Sequence, residues 1–208
     1  MLVTDLEMTG LDPCKNSIWQ IGSLDLTNSK NIFFGECRID KNEDISKKDE
    51  EIIGKSKYYL KDKNKQSEKE LLKRFFNWVN KRKNKVLICY NSLDYFFLSK
   101  KAEKYNLRIP FNHRIFDIHS FVAFKYMIKS GKFNIKSGKS ESGLGFALNF
   151  CGIPDNRIKI EKGDIIKEGS PHNALEDAKL AAEVFFRIVY KKNLLPEHKS
   201  FKIPNYLK

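Results

Sequence analysis

A chain of 208 residues with 41% hydrophobic side chains is long enough for one domain with its own core. Charged residues make up 31% of it, and no apolar run approaches the roughly 18 residues of a membrane-spanning helix, so a membrane partner is excluded. The net charge of +13 is uneven: Lys55 to Lys85 holds 12 Lys/Arg against 3 Asp/Glu, a local +9, which would attract a polyanion without sequence preference or serve simply as a solvated face.

Met1 runs directly into the first strand-like segment, which leaves no secretory signal at this end and makes the cytoplasm the expected compartment. The segments Leu2–Met8, Ile18–Leu26 and Asn31–Ile39 read as three successive strands, with Asn28 to Asn31 as a hairpin connection. Ser67 to Val79 is a helix with a stripe of Leu71, Leu72, Phe75, Phe76 and Val79, opened by a Ser67/Glu70 capping box. Val86–Tyr90 is wholly apolar, as a strand buried on both faces requires. Helix at 94–105, a short strand at Arg114–Ile118 and helix at Ser120–Lys129 follow. The Gly-, Ser- and Lys-rich stretch Lys129–Gly143 reads as a mobile loop. A short helix spans Gly143–Phe150, and Pro171–Tyr190 is a strong helix with Ser170 as N-cap and Pro171 in first position. The order β-β-β-α-β-α-β-α-α predicts a single α/β domain with a mixed sheet. Cys14, Cys37, Cys89 and Cys151 are scattered with no CxxC pair, and read as reduced, mostly buried thiols.

Asp5 and Glu7 are two apart on the first strand and project to one face. Crowded carboxylates repel one another, and divalent cations with a preference for hard oxygen ligands relieve the repulsion. Alone, a D-x-E pair is most often structural. Here it runs straight into Met8-Thr9-Gly10-Leu11, a tight turn whose glycine permits close backbone approach. Asp94 follows the buried strand at the start of a helix, where it could cap that helix or contact a ligand at the strand's carboxyl end. His172 and Asp177 are five apart, about 140° round an ideal helix. They share a site only if His172 lies before the first regular turn. A histidine that titrates near neutrality suits a general base, and one near a helix N-terminus is also a common surface residue.

Asp5-x-Glu7, Asp94 and His172 with Asp177, in that order, resemble the DEDDh exonucleases of the ribonuclease-H-like fold. The run Asp5-Leu6-Glu7-Met8-Thr9-Gly10-Leu11-Asp12-Pro13 is similar to the opening of oligoribonuclease. Asn91 to Leu98 is similar to the family's middle motif, Asn-x-x-x-Asp-x-x-x-Leu, with one residue fewer between Asn91 and Asp94. His172 in place, with Asn173 before Ala174, sets the chain apart from the tyrosine subclass. The resemblance covers Leu2 to about Tyr190, which implies an exonuclease domain over 1–190 and a basic tail over 191–208. It further implies a ribonuclease-H-like sheet, antiparallel in its first three strands and then parallel, flanked by helices.

That resemblance implies 3′→5′ hydrolysis of single-stranded RNA or DNA to nucleoside 5′-monophosphates. Asp5, Glu7, Asp94 and Asp177 would hold two Mg2+ or Mn2+ ions about 3.5–4 Å apart, with His172 as the base. Met8, Thr9, Gly10 and Leu11 would line the pocket for the terminal nucleotide, Leu11 as a wedge between the last two bases. Asn91 and Phe97 would also contact substrate, Phe97 by stacking unless it is core. An enzyme for very short RNA and a non-catalytic nucleic-acid-binding module are the alternatives, and a purely structural domain is a third. A homodimer and a polymerase-associated subunit are the assemblies left open.

Overall fold

The computed structural model describes residues 1–161 and 164–208. Three strands come first, β1 at Leu2–Met8, β2 at Ile18–Asp25 and β3 at Asn28–Glu36. Helices α1 (Lys47–Ile53), α2 (Lys57–Leu60) and α3 (Glu68–Asn80) follow. Then come β4 (Leu87–Cys89), α4 (Leu93–Lys104), β5 (Phe116–Asp117) and α5 (Ile118–Ser130). A small hairpin of β6 (Ile135–Lys136) and β7 (Lys139–Ser140) leads to α6 (Leu144–Phe150). A second hairpin, β8 (Lys159–Glu161) with β9 (Asp164–Lys167), precedes α7 (Ala174–Tyr190).

The main sheet has the order β3-β2-β1-β4-β5. β1, β2 and β3 pair antiparallel, while β4 runs parallel to both β1 and β5. This is the mixed α/β sheet that the element order predicts. Strand alternation sorts the two faces. Leu2 and Leu6 of β1 pack with Leu71, Leu72, Phe75 and Phe76 of α3 and with Phe97 and Leu98 of α4. Val3 points the other way and packs with Val122 of α5, Ala147 and Leu148 of α6, and Ala178, Ala181 and Ala182 of α7. Asp5 and Glu7 share Val3's parity, so they face the layer that contains α7.

Several boundaries differ from the sequence expectation. The β2–β3 connection tightens to Leu26-Thr27, because Asp25 pairs with Asn28 and its Oδ1 accepts from Thr27 N at 3.0 Å and Thr27 Oγ1 at 2.7 Å. α1 and α2 go unread in the sequence because they are too short to show a period. Ser46, in a capping box with Asp49, and Ser56 cap them. The stretch read as a mobile loop contains the β6–β7 hairpin, whose two turn residues, Ser137 at φ 49° and Gly138 at φ 73°, are both left-handed. The N-cap of α7 is Asn173, not Ser170, with its side chain accepting from Leu175 N and Glu176 N. Pro171 and His172 therefore precede the helix. No disulfide joins the cysteines: Cys37, Cys89 and Cys151 are buried and Cys14 is exposed. No helix among the described residues is long and apolar enough to cross a membrane.

Candidate active site

Two residues of β2 set the distance between α7 and β1. Gly22 is the cross-strand partner of Asp5, and a Cβ there would lie 2.2 Å from Ala174 C and Leu175 N. Only glycine lets the first turn of α7 lie this close to the sheet. Gln20, the partner of Glu7, accepts a hydrogen bond from Ala174 N at 2.6 Å through its Oε1. The helix is thereby seated with Asp177 over the acidic end of β1.

The resulting cleft has a volume of about 330 Å³, and Asp5, Glu7, Asn91, Arg157, His172 and Asp177 are among its lining residues. Ligand atoms of Glu7, His172 and Asp177 lie within 4.8 Å of one another. His172 Nδ1 is 2.9 Å from Asp177 Oδ2, which is geometrically open to it because His172 lies outside the helix. Asp94 comes from the far side of the sheet, in the first turn of α4, and is 4% exposed. It accepts from the backbone N–H of Leu6. Its α4 has Ser92 at the N-cap, so Asp94 is not the cap.

The electrostatics are those of a crowded acidic cluster. Burial, then the charges of Asp94, Glu7 and Asp177, push Asp5 well above the usual carboxylate range. Burial and Asp177 push Glu7 up to about 7. Asp94 is pushed up to about 8, chiefly by burial and also by Glu7, against the hydrogen bond from Leu6. His172 is raised above its ordinary value by its hydrogen bond to Asp177. The three carboxyl shifts record a cost of ionising in a buried, crowded acidic site, whereas the His172 shift records the stabilisation of its cation by Asp177.

One cation does reach the cluster, and nothing in the sequence pattern marks it. Arg157, ahead of β8, donates through Nη1 to Asp177 Oδ2 at 3.1 Å. Its Nε and Nη2 hold Asp155 at 2.9 and 3.0 Å. Tyr90, His119 and Ser140 also line the cleft, so the β6–β7 hairpin forms part of its rim. His119 Nε2 and Ser140 Oγ are 2.7 Å apart. Asp177 Oδ1, by contrast, is buried with no hydrogen-bond partner among the described residues. A buried carboxylate oxygen without a donor is costly unless a cation completes it, so the donor set fits a divalent metal.

The expected substrate-binding residues fare unevenly. Asn91 lines the cleft, with its Oδ1 accepting from Leu93 N at 2.8 Å. Phe97 does not: it is 0% exposed in the core between the sheet and α3, so it presents no face to a base. Its neighbour Phe96 is the exposed ring. Met8 packs against the same core. Thr9 is buried, accepting from Ser17 N at 2.9 Å and donating to Glu43. Gly10 admits a close neighbour, but it is the side chain of Asn16, whose Oδ1 would lie 2.5 Å from a Cβ there. Leu11 stands 78% exposed at the tip of the turn.

Comparison with known proteins gives a consistent assignment. The model of the RNase T exonuclease family matches residues 2–185. The PolC-type DNA polymerases III of Thermotoga petrophila and Thermotoga maritima are 27% identical over 192 residues, which is 90% of this chain and 12% of each polymerase. The chain thus spans about an eighth of the length of those relatives. Among solved structures, the nuclease domain of 3′hExo, a DEDDh family member bound to rAMP, superposes with a TM-score of 0.65 at 18% identity, over 98% of this chain and 95% of that one. Cell-death related nuclease 4 (CRN-4) matches with a TM-score of 0.65 at 13% identity, over 93% of this chain and 64% of that one. A 3′-exonuclease described in 3′-end specific recognition of a histone mRNA stem-loop gives 0.66 at 18%, over 93% and 83%.

Proposed function

The chain belongs to the RNase T exonuclease family, and on that premise we propose that it is a 3′→5′ exonuclease of the DEDDh kind that hydrolyses single-stranded nucleic acid from the 3′ end to nucleoside 5′-monophosphates. The observation that carries this reading is the meeting of Asp5, Glu7 and Asp177 at one cleft, with Asp94 buried behind it and close enough to raise Asp5, and with Asp177 Oδ1 lacking a donor among the described residues.

The family is dependent on divalent metal. In the proposed mechanism the four carboxylates would hold two ions, Mg2+ or Mn2+. Bound there, they would supply Lewis acidity and neutralise charge developing on the reacting phosphate and the departing 3′ oxygen. The chain's own part is positioning and proton transfer. Asp177 is oriented by Arg157 and by the N-terminal turn of α7. His172 accepts the proton of the attacking water, and with Nδ1 turned to Asp177 the accepting atom is Nε2. Asn91 and the exposed Leu11 remain as contacts for the terminal nucleotide.

RNA and DNA both fit. The polymerase relatives suggest that the domain serves a polymerase, whereas the histone-mRNA and rAMP complexes concern RNA. Assay on a short RNA, a longer RNA and a single-stranded DNA separates these cases, and also the narrower reading of an enzyme for very short RNA. Co-purification with a polymerase and measurement of the solution mass test the two assemblies.

The decisive experiment is substitution of the carboxylates. Asp5→Ala and Asp177→Ala should each reduce cleavage of a 3′-labelled oligonucleotide in Mg2+ by roughly 10³-fold or more with the circular dichroism spectrum unchanged. His172→Ala should lower kcat by roughly 10²–10⁴-fold while oligonucleotide binding is retained. A near-wild-type rate in either carboxylate variant overturns the site. Salt-sensitive binding with no metal-dependent cleavage by the wild type would favour a non-catalytic binding module.

A further inference from the structure

The basic stretch of the sequence is not spent on the catalytic cleft. Part of it forms α2 and the turn after it, around two adjoining hollows. One, of about 460 Å³, is lined by Lys57, Tyr58, Lys61, Asp62, Lys63 and Asn64. The other, of about 750 Å³, shares Lys61 and Lys63 and adds Arg38 and Lys41.

Most cations nearby are matched. Lys57 pairs with Asp44, Lys65 with Glu36 and Lys104 with Asp40. Glu68 at the back of the larger hollow is satisfied by Lys101, Tyr105 Oη and Ile18 N. Arg38, Lys41, Lys61 and Lys63 differ. Arg38 donates only to the carbonyls of Lys63 and Lys65, and Lys61 Nζ to the carbonyl of Lys41 at 3.1 Å. None of the four has a carboxylate within ion-pair distance among the described residues, and Lys41 and Lys63 have no side-chain partner. Four cations left without counter-ions round a concavity raise the local concentration of any polyanion.

Tyr58 adds an aromatic surface. Its neighbour Tyr59 serves the fold, hydrogen-bonded to Glu36 and covered by the Lys65 ammonium 3.0 Å from its ring centroid. Leu60 is buried. Tyr58 is 88% exposed and belongs to no core cluster. An open ring among unpaired cations is the composition of a single-strand platform, in which phosphates meet the cations and a base meets the π face. The platform is also joined to the catalytic strand. Asp40, in the wall of the larger hollow, donates its N–H to Ser17 Oγ at 3.1 Å, and Ser17 N–H donates to Thr9 Oγ1 at 2.9 Å, two residues beyond Glu7.

We propose that Arg38, Lys41, Lys61, Lys63 and Tyr58 form an accessory single-strand site that grips the substrate strand on the 5′ side of the scissile bond, the cations on phosphates and Tyr58 on a base. The site rests on the exonuclease reading above. It makes long strands better substrates than those too short to reach from the cleft to α2.

The test is anisotropy of a 5′-labelled single strand of about a dozen nucleotides, in chelator and across salt concentrations, with cleavage of the same strand and of a trinucleotide measured in Mg2+. Lys61→Glu with Lys63→Glu should weaken binding of the long strand at least tenfold and flatten the salt dependence by roughly two phosphate contacts. Tyr58→Ala should weaken it by roughly tenfold and Tyr58→Phe should restore it. Trinucleotide kcat/KM should be unchanged in all three. Long-strand affinity and salt slope within about twofold of wild type in the charge variant would overturn the site with the exonuclease reading intact. Salt-sensitive, Tyr58-dependent binding without cleavage of either substrate by the wild type would support the platform and sink the exonuclease reading.

Discussion

Asp5, Glu7 and Asp94 are each held above their ordinary range by burial and by neighbouring carboxylates, Asp177 among them for Asp5 and Glu7. A carboxyl whose pKa is raised on folding binds its proton more tightly in the native state. At pH values below the unfolded pKa of about 4 there is no penalty. Between there and about 7 for Glu7 and about 8 for Asp94, the unfolded chain has lost protons that the folded chain keeps, so stability falls as pH rises. His172, raised by Asp177, adds a contribution of the same sign. In chelator, the melting temperature should therefore fall from pH 5 to pH 8, and the fall should be smaller in Asp94→Asn. Saturating Mg2+ at pH 8 should recover about 2.7 kcal/mol at a hundredfold excess over its Kd. A melting temperature that rises over this window in chelator would contradict the crowded cluster. Arg157 acts on the same balance. Arg157→Met leaves Asp155 and Asp177 without their guanidinium, and should cost about 1–3 kcal/mol of metal-free stability in urea unfolding.

At the scale of elements, the site depends on how α7 meets β1 and β2. The apolar stripe of α7 and the parity of Asp5 with Glu7 are legible because helices and strands impose periods on the sequence itself. The start of α7 is not. Ser170-Pro171 is a good local start signal, and it loses to Asn173 because Gln20, 154 positions away, takes the N–H of Ala174. The role of Gly22 is equally silent until the helix is laid over it. Gly22→Ala would push the Ala174–Leu175 peptide off the sheet and carry Asp177 with it. The expected result is about 1–3 kcal/mol of destabilisation with a disproportionate loss of kcat. Wild-type kcat in a folded Gly22→Ala variant would mean that α7 does not set the site's geometry. Asp5, Glu7, Asp94 and His172 with Asp177 could be singled out because their order follows a recurrent pattern. Phe97 as a stacking residue could not be judged, since a phenylalanine in a helix reads the same whether it faces base or core.

At the scale of the molecule, the segment after Tyr190 is fastened by a buried ion pair inside α7. Glu183 and Arg187 are both 0% exposed, 2.9 Å apart. Arg187 donates to the carbonyls of Cys151, His198 and Phe201, and Glu183 accepts from Leu194 N and Leu195 N. Leu195 and Leu207 are buried with them. Arg187→Met strands a buried carboxylate and three carbonyls. It should cost about 3–5 kcal/mol and expose residues 191–208 to proteolysis, whereas an unchanged urea midpoint would show the pair to be dispensable.

By itself, the sequence determined the α/β class, the three-strand opening, the acidic pair and its distant partners, and the local excess of positive charge. These follow from periodicity, composition and order, which are properties of the chain as written. Only the tertiary structure decided which side chains meet. It brought Asp94 through from the opposite face, put His172 outside the helix beside Asp177 and Arg157 against the same carboxylate. It also buried Phe97 and left Tyr58 bare among unpaired cations. Those outcomes depend on close packing and on hydrogen bonds between residues remote in sequence, and neither leaves a local signature.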